Sequence, residues 1–205
     1  MQAIERHPCT EDEYVELERR ADTKSELING DIFAMSGAKP RHNVLAMNVG
    51  AEIRLRLRAR QSPCIVFNSD QRIRSEVTGI NTYADVSVAC GARFHAKYLD
   101  ALINPTVIVE VLSKSTEGYD RGAKFAHYRT IPGFVEYVLV SQRAHRIEHF
   151  KRIESGQWLL TLLEGDDALL ELPSLGCAIL LGEIYAQTDE LYGEEDDLKK
   201  EPVPG

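Results

Sequence analysis

The sequence predicts an α/β (α+β) domain built on one mixed β-sheet flanked by helices. Three observations lead there. The chain has 205 residues, 43% hydrophobic and 27% charged, enough apolar material for one ordinary core. Helix-period segments stand near the start and on either side of the middle. Between and after them come short, β-branched runs bounded by Pro, Gly and Asn, as strands require. The resulting order is helix, strand, helix, several strands, helix, strands, which fits layered sheet and helix packing.

Taken in order, Thr10-Glu11-Asp12-Glu13 forms a capping box, and Tyr14, Leu17 and Ala21 follow at helical spacing, so a helix starts near residue 11. Asn29-Gly30 supplies a turn, and Asp31 to Ser36 (DIFAMS) reads as a strand. Gly37-Ala38-Lys39-Pro40 breaks the chain before a helix from about Asn43 to Arg60, with Val44, Met47, Ile53 and Leu57 near one face. CIVFNSDQRIRS, NTYADVSVAC and PTVIVEVLS are strand-like. A helix runs from roughly Tyr119 to Thr130 and stops at Ile131-Pro132-Gly133. EYVLVS, RIEHFKR and WLLTLLE are three further strands, and LGEIYA is a closing helical turn. No internal repeat or flexible linker divides the chain, so residues 1–188 form one domain and residues 189–205 an acidic, mobile tail.

Charge and cysteine usage narrow the function classes. The formal net charge is −8, and seven acids against two lysines place −5 of it in residues 189–205, leaving −3 for the other 188. Bulk attraction to nucleic acid is therefore excluded. A local surplus runs from Arg121 to Arg152, where Arg121, Lys124, Arg129, Arg143, Arg146, Lys151 and Arg152 stand against Glu136 and Glu148; it reads either as a solvated face or as one that meets phosphates. Cys9, Cys64, Cys90 and Cys177 form no CxxC pair and read as small buried hydrophobes. No apolar run approaches the roughly 18 residues of a membrane span, and the first twenty residues lack the apolar centre of a signal peptide. A cytoplasmic protein without membrane contact is expected.

The chemistry-bearing residues are two acids set where a structural protein would place valines. Alternation from Tyr83 to Cys90 puts Asp85 inside a strand, on the face opposite Val86 and Val88. Around Glu110 every neighbour in TVIVEVL is apolar or β-branched, the mark of a strand covered on both faces. Burying an ionised carboxylate costs several kcal/mol (order of magnitude) unless a charge or metal offsets it. Something positive is expected beside Glu110, and two partners are open. One is a divalent cation shared with Asp85 in an oxygen-rich, incomplete shell of the kind Mg²⁺ prefers. The other is Lys124, on the following helix, where it shares a stripe with Asp120 and Tyr128. Spacing alone favours a plainer account of Lys124, a surface ion pair with Asp120.

These residues lie in segments that resemble the PD-(D/E)xK nuclease superfamily, and more closely a large bacterial family of restriction-endonuclease-like proteins that carries a variant of its motif. The matching segments are SELINGDIFAMSGAKPRHN, NSDQRIRS, YADVSVACG, NPTVIVEVLSKST, YDRGAKFAHYRTIPGFVEYVLVSQ and ELPSLG before LGEIYA, spanning about residues 11–186. The resemblance implies a restriction-endonuclease-like fold and a metal-dependent endonuclease that hydrolyses DNA phosphodiester bonds with Mg²⁺ or Mn²⁺. It places the first family acid on Asp85, where Tyr-Ala-Asp replaces Tyr-Pro-Asp, and the second on Glu110; both would hold metal. The superfamily lysine would stand at Leu112, and in this variant the basic role passes to Lys124 in DRGAK. Lys114 stands where the family has proline and is a weaker candidate. Cutting both strands of a duplex implies a homodimer, for which the strands after residue 135 are the expected surface.

Other positions carry two readings each. Glu26, near the end of the first helix, and His42, at the mouth of the second, match family positions and could border the cleft; Glu26 could equally pair with Lys24 or an arginine, and His42 could cap its helix. Asp70 could ligate metal or serve a turn. His127, His145 and His149 have no metal-ligand spacing; His145 and His149 read as solvated on one strand face. Trp158 packs the sheet or an intermolecular contact. Nothing resembles a helix-turn-helix, a zinc finger or a phosphate-cradling glycine loop. The alternative to an endonuclease is a homodimeric interaction module that has kept the fold while its chemistry weakened or was lost.

Overall fold

The structure, a computed structural model, describes residues 8–191. The acidic segment expected to be a tail falls largely outside these residues; its first three, Asp189–Leu191, form a 3₁₀ turn.

Helix α1 (Glu11–Arg20) is closed by the capping box: Thr10 Oγ1 accepts the Glu13 N–H and the Glu13 carboxylate accepts the Thr10 N–H. Tyr14 and Val15 are its buried residues, while Leu17 is half-exposed. Strands β1 (Ser25–Ile28) and β2 (Asp31–Ala34) form an antiparallel hairpin. Asn29 and Gly30 turn it with φ of 53° and 88°, the left-handed pair that a two-residue hairpin demands and Asn-Gly supplies. Residues 25–28 thus belong to a strand, and Glu26 lies within it, not at the end of a helix as expected. Helix α2 (Pro40–Ala59) starts on proline, which gives up no intrahelical hydrogen bond at a first position. Its buried stripe is Arg41, Leu45, Val49, Ile53 and Leu57, each one turn from the last; Met47, expected on the inner face, is exposed.

The rest of the chain supplies β3 (Cys64–Phe67), β4 (Arg72–Arg74), β5 (Asn81–Tyr83), β6 (Val86–Cys90), β7 (Ala101–Leu102) and β8 (Val107–Leu112). A broken helix follows: α3 (Glu117–Tyr119), a π-helical turn over Asp120–Lys124, and α4 (Phe125–Tyr128). Then come β9 (Glu136–Ser141), β10 (Arg146–Arg152), β11 (Trp158–Glu164), β12 (Leu169–Leu172), β13 (Cys177–Leu180) and α5 (Leu181–Ile184).

These strands make two main sheets and a hairpin, where the sequence suggested one mixed sheet. Five strands run in the order β2-β1-β5-β4-β7 and six in the order β11-β10-β9-β8-β6-β3, with β12 paired to β13. The division occurs inside Asn81–Cys90. The chain bends at Ala84-Asp85, so β5 joins the first sheet and β6 the second. Asp85 therefore stands at a bend between strands and not within one. In the six-stranded sheet β8 and β9 are parallel, as their connection through the broken helix requires, and the other pairs are antiparallel.

Val107, Val109 and Val111 of β8 face α2, among Leu45, Val49, Ile53, Val138 and Val140. Ile108 and Leu112 face the other way, against Phe125, Tyr128, Phe134, Tyr137 and Leu139. Glu110 shares this second face by alternation. Trp158 packs here, with its ring centroid 5.0 Å from Phe125 and 5.1 Å from Phe134. Cys64 and Cys90, opposite each other on β3 and β6, are joined in a disulfide, so two of the four cysteines are not the separate small hydrophobes expected. Cys9 and Cys177 take part in no disulfide. Among the described residues no helix is long and apolar enough to cross a membrane.

Candidate active site

The two acids meet where the bend at Asp85 enters β6 beside β8. Val86 pairs with Val109 and Ser87 with Ile108, so the next step outward brings Asp85 against Glu110. Asp85 Oδ2 accepts the backbone N–H of Val111 at 2.7 Å, and the Asp85 backbone N–H points to Glu110 Oε2 at 3.4 Å. The second oxygen of Asp85 lies 2.9 Å from His42 Nε2. His42 sits in the first turn of α2 and is not its cap. Its Nδ1 is 3.4 Å from Gln142 Nε2, and Gln142 also donates to the Leu112 carbonyl at 2.8 Å. The Asp85 side chain is 18% exposed and that of Glu110 only 5%, so one acid borders solvent and the other lies behind it.

Lys124 is deeply buried, contrary to its expected role as a surface partner of Asp120. Its Nζ lies 3.0 Å from Glu110 Oε1 and 3.2 Å from Glu26 Oε1, and donates to the Tyr83 carbonyl at 2.9 Å; Asp120 is more distant at 3.9 Å. The physical reason is the broken helix. It packs its Phe125 and Tyr128 onto the inner face of β8 and β9, and the residue preceding Phe125 is carried in with them. The π turn that holds Asp120 and Lys124 is the kind of local widening often found at functional positions. Its first carbonyl, that of Asp120, accepts the Tyr137 hydroxyl at 3.0 Å.

Electrostatics follow from this burial. Desolvation pushes the Glu110 carboxyl well above the usual range, against the pull of Lys124. Burial also raises Asp120. For Lys124 burial acts to lower the pKa, but the charges of Glu110 and Glu26 together overcome it and hold the ammonium protonated, well above a free lysine. Tyr128 donates its hydroxyl to Glu110 Oε1 at 3.1 Å. Glu26 Oε1 accepts from Thr82 Oγ1 and from the Tyr83 N–H at 3.1 Å, while its Oε2 is buried with no hydrogen-bond partner among the described residues.

The structure thus brings Asp85, Glu110, Lys124, Glu26 and His42 into one connected cluster. Asp70 lies apart: it is exposed in a turn, takes Lys24 Nζ at 3.0 Å, and has its N–H held by Asn68. Lys114 is exposed beyond β8. Arg121 is bound to Glu117 and Glu148, and Arg143 to Glu117, so part of the basic surplus is already paired. His149, expected to be solvated, is buried, and His145 lies in the loop before β10 between Asp166 and Asp189. Gln142, Thr82 and the Tyr83 carbonyl escaped the sequence reading. Gln142 had no visible signal, because only the parallel β8–β9 pairing, which sets Ser141 beside Leu112, brings it near.

Among the described residues no three His, Cys, Asp or Glu side chains converge as a metal-holding group. The donor set that does exist, Asp85 and Glu110, is oxygen-only and partly open on the Asp85 side. That suits a hard cation such as Mg²⁺, which uses one or two carboxylates and completes its shell with water and substrate oxygens.

Comparison with known proteins agrees with this architecture. Residues 11–181 match the model of the Uma2 family, described as "Putative restriction endonuclease". An uncharacterized protein of Synechocystis sp. is 39% identical over 160 residues, covering 78% of this chain and 89% of that one. A second from the same organism is 35% identical over 174 residues, covering 85% and 90%. A crystal structure described as a "putative nuclease belonging to DUF820" from Anabaena variabilis superposes with a TM-score of 0.72 at 18% identity, covering 87% of this chain and 98% of that chain. By the extent of these matches the chain belongs to the Uma2 family of restriction-endonuclease-like proteins.

Proposed function

We propose that this chain is a Mg²⁺- or Mn²⁺-dependent endonuclease that hydrolyses DNA phosphodiester bonds, with Asp85 and Glu110 holding the cation and Lys124 acting beside them. The observation that carries the reading is the contact of Asp85 with Glu110 at the bend before β6, backed by a buried, protonated Lys124 3.0 Å from Glu110. A bound cation at such carboxylates polarises a phosphoryl oxygen and lowers the pKa of a coordinated water. The chain's own residues prepare for that. The Val111 amide and His42 fix both oxygens of Asp85. Tyr128 and Lys124 fix Glu110 Oε1 and leave Oε2 toward Asp85. Lys124 also offsets the negative charge gathered by Glu26, Glu110 and Asp120, so that an anionic phosphate meets a smaller local repulsion.

A second reading has its own support: the net charge of −8 and the pairing of Arg121 and Arg143 leave a modest basic surface for a polyanion, as in an interaction module that has kept the fold. The two separate by calorimetry with Mg²⁺ and Mn²⁺ on the wild type and on Asp85→Ala, followed by incubation of supercoiled plasmid with Mn²⁺. Metal binding and nicking that both disappear in the variant, with circular dichroism unchanged, support the enzyme. Absence of binding and cleavage by the wild type points to the module.

A further inference from the structure

Among the described residues strand β11 is an edge of the six-stranded sheet, paired only with β10. Its ladder runs without a break from Arg146↔Glu164 to Arg152↔Trp158. Proteins usually guard such an edge with proline, lysine, a bulge or a cover. Within Trp158–Glu164 (WLLTLLE) there is no proline or lysine and one charge, at the end. Leu159, Leu160 and Leu162 are 55%, 45% and 60% exposed on the two faces of this edge. Residues 192–205, with four successive acids at Glu194–Asp197 and two prolines, carry no apolar alternation that could lie along it.

We propose that β11 pairs antiparallel with β11 of a second copy of this chain about a twofold axis at Thr161, joining the two six-stranded sheets into one. The strand itself points to this occupant, because its apolar pattern is palindromic about Thr161. An axis there sets Leu160 against Leu162 and Leu159 against Leu163 of the second copy, so every leucine faces a leucine on its own face of the sheet. Moving the axis to Leu160 sets Leu159 against Thr161 and Leu162 against Trp158. Moving it to Leu162 sets Leu160 against Glu164. Charge agrees with the first register: the one acid, Glu164, meets Trp158 of the second copy and not another carboxylate. That tryptophan is paired in its own chain with Arg152, so Glu164 stays beside its own Arg146, with the Arg152 of the other copy one strand beyond the tryptophan. An isologous contact of this kind closes on itself and does not propagate.

Sedimentation velocity on the full chain tests the proposal. The wild type is expected at twice the 23.0 kDa chain mass, and the Leu160→Glu/Leu162→Glu double variant at the single mass with an unchanged circular dichroism spectrum. Leu160→Glu combined with Leu162→Lys is expected to restore the dimer, since each glutamate then faces a lysine of the other copy. Thr161→Cys fixes the register and does not depend on the charged variants folding: under mild oxidation it should form a covalent dimer, whereas Leu159→Cys, displaced from its own mate along the strand, should not. A monomeric wild type, a dimer indifferent to the double glutamate variant, or cross-linking of Leu159→Cys in place of Thr161→Cys overturns it.

Discussion

The backbone N–H of Val111 is donated to Asp85 Oδ2 at 2.7 Å, which ties the acid at the bend to the residue directly after the acid in β8. Asp85 and Glu110 are therefore aligned by strand pairing and a main-chain hydrogen bond, without needing a cation to draw them together. Such preorganisation is what a site on rigid strands offers over one on loops. It also divides the labour between them. Asp85 borders solvent, while Glu110 anchors to the buried lysine.

Lys124 is expected to matter for stability as well as for the proposed chemistry. Lys124→Met leaves Glu110 and Glu26 buried without their cation, a loss of about 3–5 kcal/mol by analogy with other broken buried pairs. Adding Glu26→Gln and Glu110→Gln to that variant should regain much of the loss, because the uncompensated charges are gone. Urea unfolding of the single and triple variants measures both. A single variant as stable as the wild type would mean that the two glutamates bind protons and need no counter-ion.

His42 is a positioning residue for Asp85 in the proposed metal site. His42→Asn should weaken Mn²⁺ binding by about 10–100-fold, the usual effect of removing a group that orients a ligand, while the unfolding midpoint barely moves. Calorimetric titration reads the affinity directly. An unchanged Kd would show that the Val111 amide alone is enough to orient Asp85.

How far this site was legible in the sequence depends on the range of the contacts. The capping box at Thr10, the Asn29-Gly30 turn and the apolar run around Glu110 are local signals, and each element they announce is present. Asp85 was legible as an acid among strand residues, but its bend was not, because the alternation of NTYADVSVAC continues across Ala84 while the backbone changes sheets. The element that carries Glu26 is hard to read from sequence because SELI is only a four-residue strand and follows α1 closely. Lys124 illustrates the limit best. Helical spacing relates it correctly to Asp120 and Tyr128, yet only the packing of Phe125 and Tyr128 on the sheet decides that its ammonium faces Glu110 and not water. The hairpin β12–β13 and the Cys64–Cys90 pair are not legible in the sequence for the same reason: a pairing partner is a long-range fact.

The disulfide leads to a measurable consequence. Cys64 and Cys90 close a loop with a sequence separation of 26, for which the chain-entropy model gives a stabilisation of about 3.5 kcal/mol. Cys64→Ser/Cys90→Ser, or the wild type in reductant, should unfold at correspondingly lower denaturant. Thiol titration of the unreduced, denatured protein should find two reactive groups, Cys9 and Cys177. Four reactive thiols, or no difference in stability on reduction, would show that the cysteines face each other across β3 and β6 in their reduced form.

His149 gives the fold a pH dependence whose sign is fixed by its burial. It lies on β10 with Nε2 buried and no hydrogen-bond partner among the described residues, 3.8 Å from Glu136 Oε2. Burial first, and the nearby Lys151 second, lower its pKa to about 4 from the ordinary 6.5. Between those values the unfolded chain binds the imidazole proton and the folded one does not, so this contribution falls as pH drops from 6.5 toward 4 and is complete above that window. Glu136 works in the opposite sense, since burial raises its carboxyl and the unfolded chain gives up that proton first as pH rises. Substituting His149 alone separates the two. Relative to His149→Leu, the wild type should gain up to about 2 kcal/mol of unfolding free energy between pH 4.5 and 7, the remaining slope belonging to Glu136 and other groups. Denaturant unfolding at a series of pH values measures the difference, and parallel curves for the two proteins would mean that His149 titrates in the folded state as it does in the unfolded chain.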